Sequence, residues 1–298
     1  MSIELNKKLH PKPIVVAEHC CNHMGDIDIA MKMISAAKTA GASFAKFQKW
    51  NAKEALSELH YHSEHPESRH SFGETYGMHR ENLEFTIDQH LLLKEYCNEI
   101  GIGYASSVFD CTSARQIVSI NPDYIKIPSQ KNTNLDLYEI VCKDYEGDIH
   151  VSTGMTKESE LNEILEEIDK FSALNRTVLY AATSSYPCLF EDLYILRVKE
   201  FVEKYHDVLK GVGFSGHHNG IAADIAALAL GARYFERHFT LDRTMKGTDH
   251  SASLEPQGLA KLVRDLNNVD KALQHRPQGI LDNEMAAYHK VKFNQSKA

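Results

Sequence analysis

Short apolar runs rich in β-branched and aromatic residues alternate along the chain with longer stretches whose apolar positions recur at helical spacing. The first run, PIVVAEH at 13–19, is followed by DIDIAMKMISAAKTAG at 26–41, which predicts a strand and then a helix. SFAKFQKW at 43–50 predicts the next strand, and TIDQHLLLKEYCNEIG the next helix, with a long polar stretch at 51–87 before it. A loop of that length inside a compact domain is usually functional. IGYASSVF, DYIKIPS, DIHVSTG, TVLYAAT, GVGFS and RYFERHFT predict the remaining strands. The helices that follow them are predicted from about 112, from about 134, over 157–169, over 190–204, at IAADIAALALG and at LEPQGLAKLVRDLNNVDKAL. Eight strand-then-helix repeats without hairpins point to a single-domain α/β structure, a (β/α)8 TIM barrel over 1–280, with a tail at 281–298. No G-x-G-x-x-G turn follows the first strand, so a dinucleotide fold is disfavoured.

Composition adds exclusions. The 298 residues are 43% hydrophobic and 25% charged, as in a soluble globular protein. A formal charge of −8 argues against a nucleic-acid partner, which wants clustered lysine and arginine. No apolar run is long enough to span a membrane, and MSIELNKKLH lacks the form of a signal peptide, so a cytoplasmic protein is expected. The six cysteines, Cys20, Cys21, Cys97, Cys111, Cys142 and Cys188, form no C-x-x-C pair and read as reduced thiols. Core packing is the expected role of the adjacent Cys20 and Cys21.

In such barrels chemistry sits at the C-terminal strand ends, and here those ends are polar. They carry Glu18, Asn22 and His23, then Lys46 and Gln48, Ser106 and Ser107, Lys126 and Ser129, Ser152 and Thr153, then Thr183, Ser184 and Tyr186, Ser215, His217 and His218, and finally Glu236 and His238. One lysine in an apolar strand is commonly a snorkelling side chain. Two on different strands converging on one mouth, ringed by hydroxyls, make a site for a small anion with more than one charge. A lone histidine in a chain with 17 of them is more often a surface residue, but His217 and His238 end adjacent strands and so suit a shared metal with open positions. Imidazoles with water and substrate oxygens suit Mn2+, Co2+, iron or zinc, and leave Mg2+ open.

Several separate stretches carry a resemblance: AEHCCNHMGD, GASFAKFQK, SRHSFGETYGMHRENLEF, IKIPSQKNTN, VSTGM, TSSYP, GFSGHHNGI and ALGARYFERHFTLDRTMKGTDHSASLEP. In this order they resemble the sialic acid synthase family from about residue 13 to 275. The resemblance implies condensation of phosphoenolpyruvate with N-acetylmannosamine, its 6-phosphate or a related aldose, giving a nonulosonic acid and phosphate by C–O cleavage. It also implies a divalent metal (Mn2+, Mg2+ or Co2+) on His217 and His238. Lys46, Ser107, Lys126, Ser129, Ser152, Ser184 and Ser215 match positions around phosphoenolpyruvate. Glu18, Gln48, Tyr186 and Asp249 match positions around the sugar, and Glu18 is the expected general base. The 51–87 loop resembles that of family members using sugar 6-phosphates, in which Arg69, His70, Thr75, Tyr76, His79 and Arg80 would hold a terminal phosphate. A structural cap over the barrel is the alternative.

Departures from the family pattern bear on the acceptor. Ser129-Gln130-Lys131 stands where an acidic residue often follows the serine, reversing a charge, and Lys131 reads either as a local substitute for a missing positive group or as an ordinary surface lysine. NEMAAYHKVKFNQSKA resembles the linker to an antifreeze-like domain that supplies an arginine in typical members, so that domain is expected to be missing. A homodimer through barrel helices is expected. Two alternatives stand beside the main reading: a synthase for a deaminated or diamino nonulosonic acid, and a non-catalytic sugar-binding barrel that partners a full-length synthase.

Overall fold

The computed structural model describes residues 12–293; the chain's first eleven residues and the last of the tail lie outside them. Eight strands close into one parallel barrel in sequence order: β1 Ile14–Glu18, β2 Phe44–Lys49, β3 Gly103–Val108, β4 Tyr124–Ile127, β5 Asp148–Ser152, β6 Thr177–Ala182, β7 Gly211–Ser215 and β8 Tyr234–His238. The barrel read from the alternation of strand and helix patterns is therefore the fold. Helices Ile27–Thr39, Ile87–Ile100, Cys111–Ser119, Leu135–Asp144, Glu158–Lys170, Leu196–Tyr205, Ala222–Ala229 and Pro256–Ala272 form the outer ring. No helix among the described residues is long and apolar enough to cross a membrane.

Local chemistry marks the helix starts. Asp26 accepts from the backbone N–H of Asp28 and Ile29, and Asp110 accepts from that of Ser113 at 2.7 Å, satisfying donors that a helix start leaves open. Thr86 and Gln89 cap Ile87–Ile100 reciprocally, and Gly101, at φ 74°, ends it in the left-handed region. The helix expected over 190–204 begins late. A short 3-10 turn at Phe190–Asp192 is separated from Leu196–Tyr205 by Tyr194, whose φ of 43° cannot continue a right-handed helix. The 51–87 stretch is also more ordered than a polar loop suggests, containing helices Ala52–Ala55, Glu58–Tyr61 and Tyr76–Leu83.

Strand alternation divides the side chains between two cores. Val15, Ala17, Phe47, Ile125, Ile149, Val151, Leu179, Phe214 and Phe235 face outward and join the continuous core beneath the helices. Burying each of the larger ones contributes about 1.5–3 kcal/mol. The other parity faces the barrel interior, whose lower half is aromatic. Tyr124 and His150 stack at 3.7 Å, Phe44 and Tyr234 meet this pair edge-on, and the Tyr180 hydroxyl lies 3.0 Å from His150 Nδ1. Gly213 makes room for this layer, since a Cβ there would stand 2.5 Å from the Tyr180 ring.

Candidate active site

Two residues further along each strand the interior becomes polar, and parallel register brings those residues level. Glu18 pairs with Lys46 and with His238, Ser107 with Gln48 and Lys126, and Ser215 with Ala182 and Glu236. They form the floor of a cavity of about 390 Å3 at the C-terminal mouth. Glu18, Lys46, Gln48, Ser107, Lys126, Ser129, Ser152, Ser184, Tyr186, Ser215, His217, His238 and Asp249 all line it, as does Arg80. These sequence-predicted residues are gathered in one place; of the loop residues expected to hold a terminal phosphate, Tyr76, His79 and Arg80 join them, whereas Arg69, His70 and Thr75 do not. The Arg69 side chain is 79% exposed, ion-paired to Glu67, and not part of the wall, whereas Arg80 is only 8% exposed.

The floor is an ionic cluster. Lys46 pairs with Glu18, receives Ser107 as a second partner at 2.7 Å, and lies 3.6 Å from Glu236. Lys126 donates to Glu236 at 2.7 Å and sits 4.6 Å above the Tyr180 ring. Burial would favour a protonated Glu236, but the ammonium groups of Lys126 and Lys46 hold its carboxyl down at about 2. Burial also opposes charge on Lys46, yet Glu18 and Glu236 outweigh it and raise its pKa; at Lys126 burial, with Lys46 nearby, wins and lowers it. The two lysines expected to converge do so, within an array in which two carboxylates stand against two ammonium groups. Glu236 was noted only as a polar strand end. Its role depends on a partner in β4, 110 residues away, which no local pattern reveals.

Glu18 is held from several sides. Its Oε1 accepts from the Cys20 N–H and from Gln48 Nε2, each at 3.0 Å, while Lys46 holds the carboxylate from the other side. Gln48 Oε1 in turn accepts from Trp50 Nε1 at 3.2 Å. The carboxylate fixes its neighbours.

The two imidazoles lie side by side, with ring centroids 5.4 Å apart and planes at 82°. His217 Nδ1 is 2.7 Å from the Thr183 carbonyl oxygen, so this nitrogen donates its hydrogen and Nε2 keeps its lone pair. Burial, reinforced by His238, lowers the His217 pKa to about 3 and keeps the ring neutral. His238 Nδ1 is buried without a hydrogen-bond partner, 3.9 Å from Asp249 Oδ2. A neutral imidazole with a free lone pair beside an unpartnered buried nitrogen fits a bound divalent cation. Tyr186 covers both rings, 4.1 Å from His217 and 5.5 Å from His238.

Part of the outer wall comes from the long loop. Arg80 lies over Trp50 at 4.1 Å, and its Nε is buried without a partner. His65, Tyr76 and His79 stand beside it on the wall, and burial, with Arg80 adding to it, lowers the His79 pKa to about 4. Trp50 and His65 were not singled out from the sequence. Trp50 is the chain's single tryptophan and stands just past the polar end of β2, and that position is the signal that marks it.

Some polar strand-end residues serve the scaffold instead. Asn22 donates to the Phe239 carbonyl and to Ser253 Oγ, tying the β1 loop to the β8 loop, and His23 stacks on Phe85 at 4.1 Å. His218 lies 3.3 Å from Asp224, which accepts from Arg237 at 2.5 Å, on the outward side of the barrel. Lys131 donates to the Ala55 carbonyl at 2.6 Å and so tethers the long loop.

The NeuB family model matches residues 33–278. The chain belongs to this family. This NeuB member is 38% identical to N-acetylneuraminate-9-phosphate synthase of Mus musculus, over 93% of this chain and 76% of that protein. It is 33% identical to N,N'-diacetyllegionaminic acid synthase of Campylobacter jejuni, over 88% of this chain and 78% of that one. Among solved structures it resembles the sialic acid synthetase of Leptospira borgpetersenii in complex with citrate, with a TM-score of 0.78, 28% identity and coverage of 95% and 93%. The sialic acid synthase resemblance of the sequence and the family match agree, and these relatives all make nonulosonic acids.

Proposed function

We propose that this NeuB family member is a metal-dependent synthase that joins phosphoenolpyruvate to a mannose-type aldose carrying a terminal phosphate, forming a phosphorylated nonulosonic acid. The observation that carries the reading is the balanced ionic floor beside two neutral imidazoles. Two lysines are offset by two glutamates there, so an anion with several charges needs further positive charge nearby. A divalent cation held by His217 and His238 meets that need. When bound, it polarises the carbonyl oxygen of the sugar aldehyde.

The chain's own groups do the rest. Lys46 and Lys126, with the hydroxyls of Ser107, Ser129, Ser152, Ser184 and Ser215, bind the carboxylate and phosphate of phosphoenolpyruvate. Gly154 lets two of these approach, since a Cβ there would stand 2.3 Å from Ser184 Oγ and 2.8 Å from Ser129 Oγ. Carbon 3 of phosphoenolpyruvate attacks the aldehyde carbon, water adds at carbon 2, and the bond from carbon 2 to the phosphate oxygen breaks. One of the water's protons goes to the former aldehyde oxygen, and the other leaves with phosphate. Lys46 and Lys126 stabilise the charge passing to the phosphate. Glu18 orients Lys46 and Gln48, a role that suits its three engaged donors better than that of general base.

Arg80 favours the phosphorylated acceptor. A buried guanidinium on an aromatic face, with a nitrogen lacking a partner, is a poor way to end a wall unless an anion meets it. Phosphate release from phosphoenolpyruvate with Mn2+ tests the reading against mannose, N-acetylmannosamine and their 6-phosphates, with His217→Ala as control. Release with a 6-phosphate, lost in the control, supports it; release only with an unphosphorylated sugar overturns the acceptor assignment, and no release with any sugar overturns the synthase. Arg80→Ala should raise KM for the 6-phosphate by about 10- to 100-fold, the value of one charge-assisted hydrogen bond, with kcat little changed.

A further inference from the structure

At the cavity wall, three donors from separate parts of the chain meet. The thiol of Cys20, an imidazole nitrogen of His238 and a carboxylate oxygen of Asp249 all lie within 4.8 Å of one another. Cys20 follows β1, His238 ends β8, and Asp249 belongs to the loop beyond it. The barrel's closure brings them together, because Glu18 and His238 are register partners.

The local structure is costly for a packing thiol. Cys20 has a φ of 41°, a left-handed backbone that non-glycine residues adopt at some cost and that persists where surroundings impose it. Its N–H is anchored on Glu18 Oε1 at 3.0 Å, which fixes the turn, and the residue is 1% exposed. An apolar role would not direct the thiol toward a carboxylate. Beside it stands the second observation, the buried His238 Nδ1, which has no hydrogen-bond partner and lies 3.9 Å from Asp249 Oδ2. Buried polar groups are normally satisfied, so an unpartnered nitrogen facing a carboxylate and a thiol marks a place for a cation.

We propose that Cys20 is a metal ligand, its thiolate joining His238 and Asp249 in the donor set of the divalent ion. The inference rests on the metal reading given above and deepens it, because it changes which metal the site prefers. Two imidazoles with oxygen donors leave Mg2+ among the candidates; a thiolate excludes it in favour of Zn2+, Fe2+ or Co2+. On binding, the thiol gives up its proton to solvent as the sulfur–metal bond forms.

Cys21 is the natural rival and the natural control. Its Sγ lies 3.8 Å from Asp249 Oδ2, and it lines the cavity wall. The test is the absorption spectrum of the full chain loaded with Co2+, comparing the wild type with Cys20→Ser, Cys20→Gly and Cys21→Ser. Glycine suits the positive φ, so Cys20→Gly keeps the test valid if the serine variant folds poorly. The expected result is a near-ultraviolet sulfur-to-cobalt charge-transfer band in the wild type and in Cys21→Ser, lost in both Cys20 variants while the weaker visible cobalt bands persist. Visible bands in the wild type without the charge-transfer band would overturn the thiolate and leave the histidine site standing. Loss of the band in Cys21→Ser alone would move the ligand to the neighbouring residue. No cobalt spectrum at all would overturn the metal reading itself, and the inference with it.

Discussion

The lower and upper halves of the barrel interior are built from the same strands, two residues apart, and share almost nothing chemically. On β2 the inward residues run from Phe44 to Lys46, on β4 from Tyr124 to Lys126, and on β8 from Tyr234 to Glu236 to His238. Below, rings stack on rings around His150, and Gly213 clears space for Tyr180. Above, ammonium groups, carboxylates and hydroxyls compensate one another across the barrel. The lower layer is a plug that excludes water and supports the ionic layer, and charged groups held in such surroundings interact more strongly than they would in solvent.

Breaking the ionic layer should have the largest effect. Lys126→Met leaves Glu236 buried without its close partner, and the expected loss of stability is about 3–5 kcal/mol, with phosphate release reduced by about 100- to 1000-fold. Lys126→Met with Glu236→Met should regain most of the stability in denaturant titrations and none of the activity. Recovery of activity in the double variant would show that the layer serves packing only. In the lower layer, Gly213→Ala should cost about 1–3 kcal/mol through overpacking against Tyr180, read as a lower midpoint of unfolding, with turnover per folded molecule unchanged. A large drop in turnover at unchanged stability would erase the division between the halves.

Acid separates the two layers more gently. Burial, with Lys126 next, lowers the His150 pKa well below its ordinary value, so the unfolded chain takes up a proton there before the folded one does. Stability from this group is complete above about pH 6.5 and declines as pH falls below it, by about 1.4 kcal/mol per pH unit. The carboxyl of Glu236 is also held down, so its contribution is present above about pH 4.5 and is lost only below that. His150→Phe, which keeps the stack on Tyr124, should flatten the stability profile between about pH 6.5 and 5 by roughly that one-proton slope. Urea titrations across this range measure it, and an unchanged slope would assign the acid sensitivity to other buried histidines such as His19 and His23.

Much of this was legible in the residues. The eight-fold alternation specified the barrel because strand and helix periods differ and repeat, and the polar strand ends specified the mouth because a closed parallel barrel places those ends together. What escaped were relations between distant residues. That Lys126 is paired with Glu236, that Glu18 is occupied by Lys46, Gln48 and a backbone N–H, and that Lys131 holds Ala55 all follow from closure of the barrel and folding of the loop. Arg69 and Arg80 look equivalent in sequence, yet Arg69 sits on the 3-10 turn Ser68–His70, which buries none of its residues, whereas Arg80 lies on the buried face of the helix Tyr76–Leu83, turned toward Trp50. Asn22 and His23 looked chemical because they follow a strand end, but their partners are a carbonyl and a ring.

Within the outer wall, His65, Pro66, Glu67, Tyr76, His79 and Arg80 come from the single 51–87 stretch, whereas the floor draws on all the strands. Changes to that part of the wall fall in one contiguous stretch of sequence and leave the register that aligns the floor untouched. For anyone recombining relatives of this family, that stretch is a natural cassette. Its attachments are spread along the stretch, among them the Ala55 carbonyl to Lys131, Glu54 to the Cys111 N–H and His70 to the Gly247 N–H, so a transplanted wall must carry these joints with it.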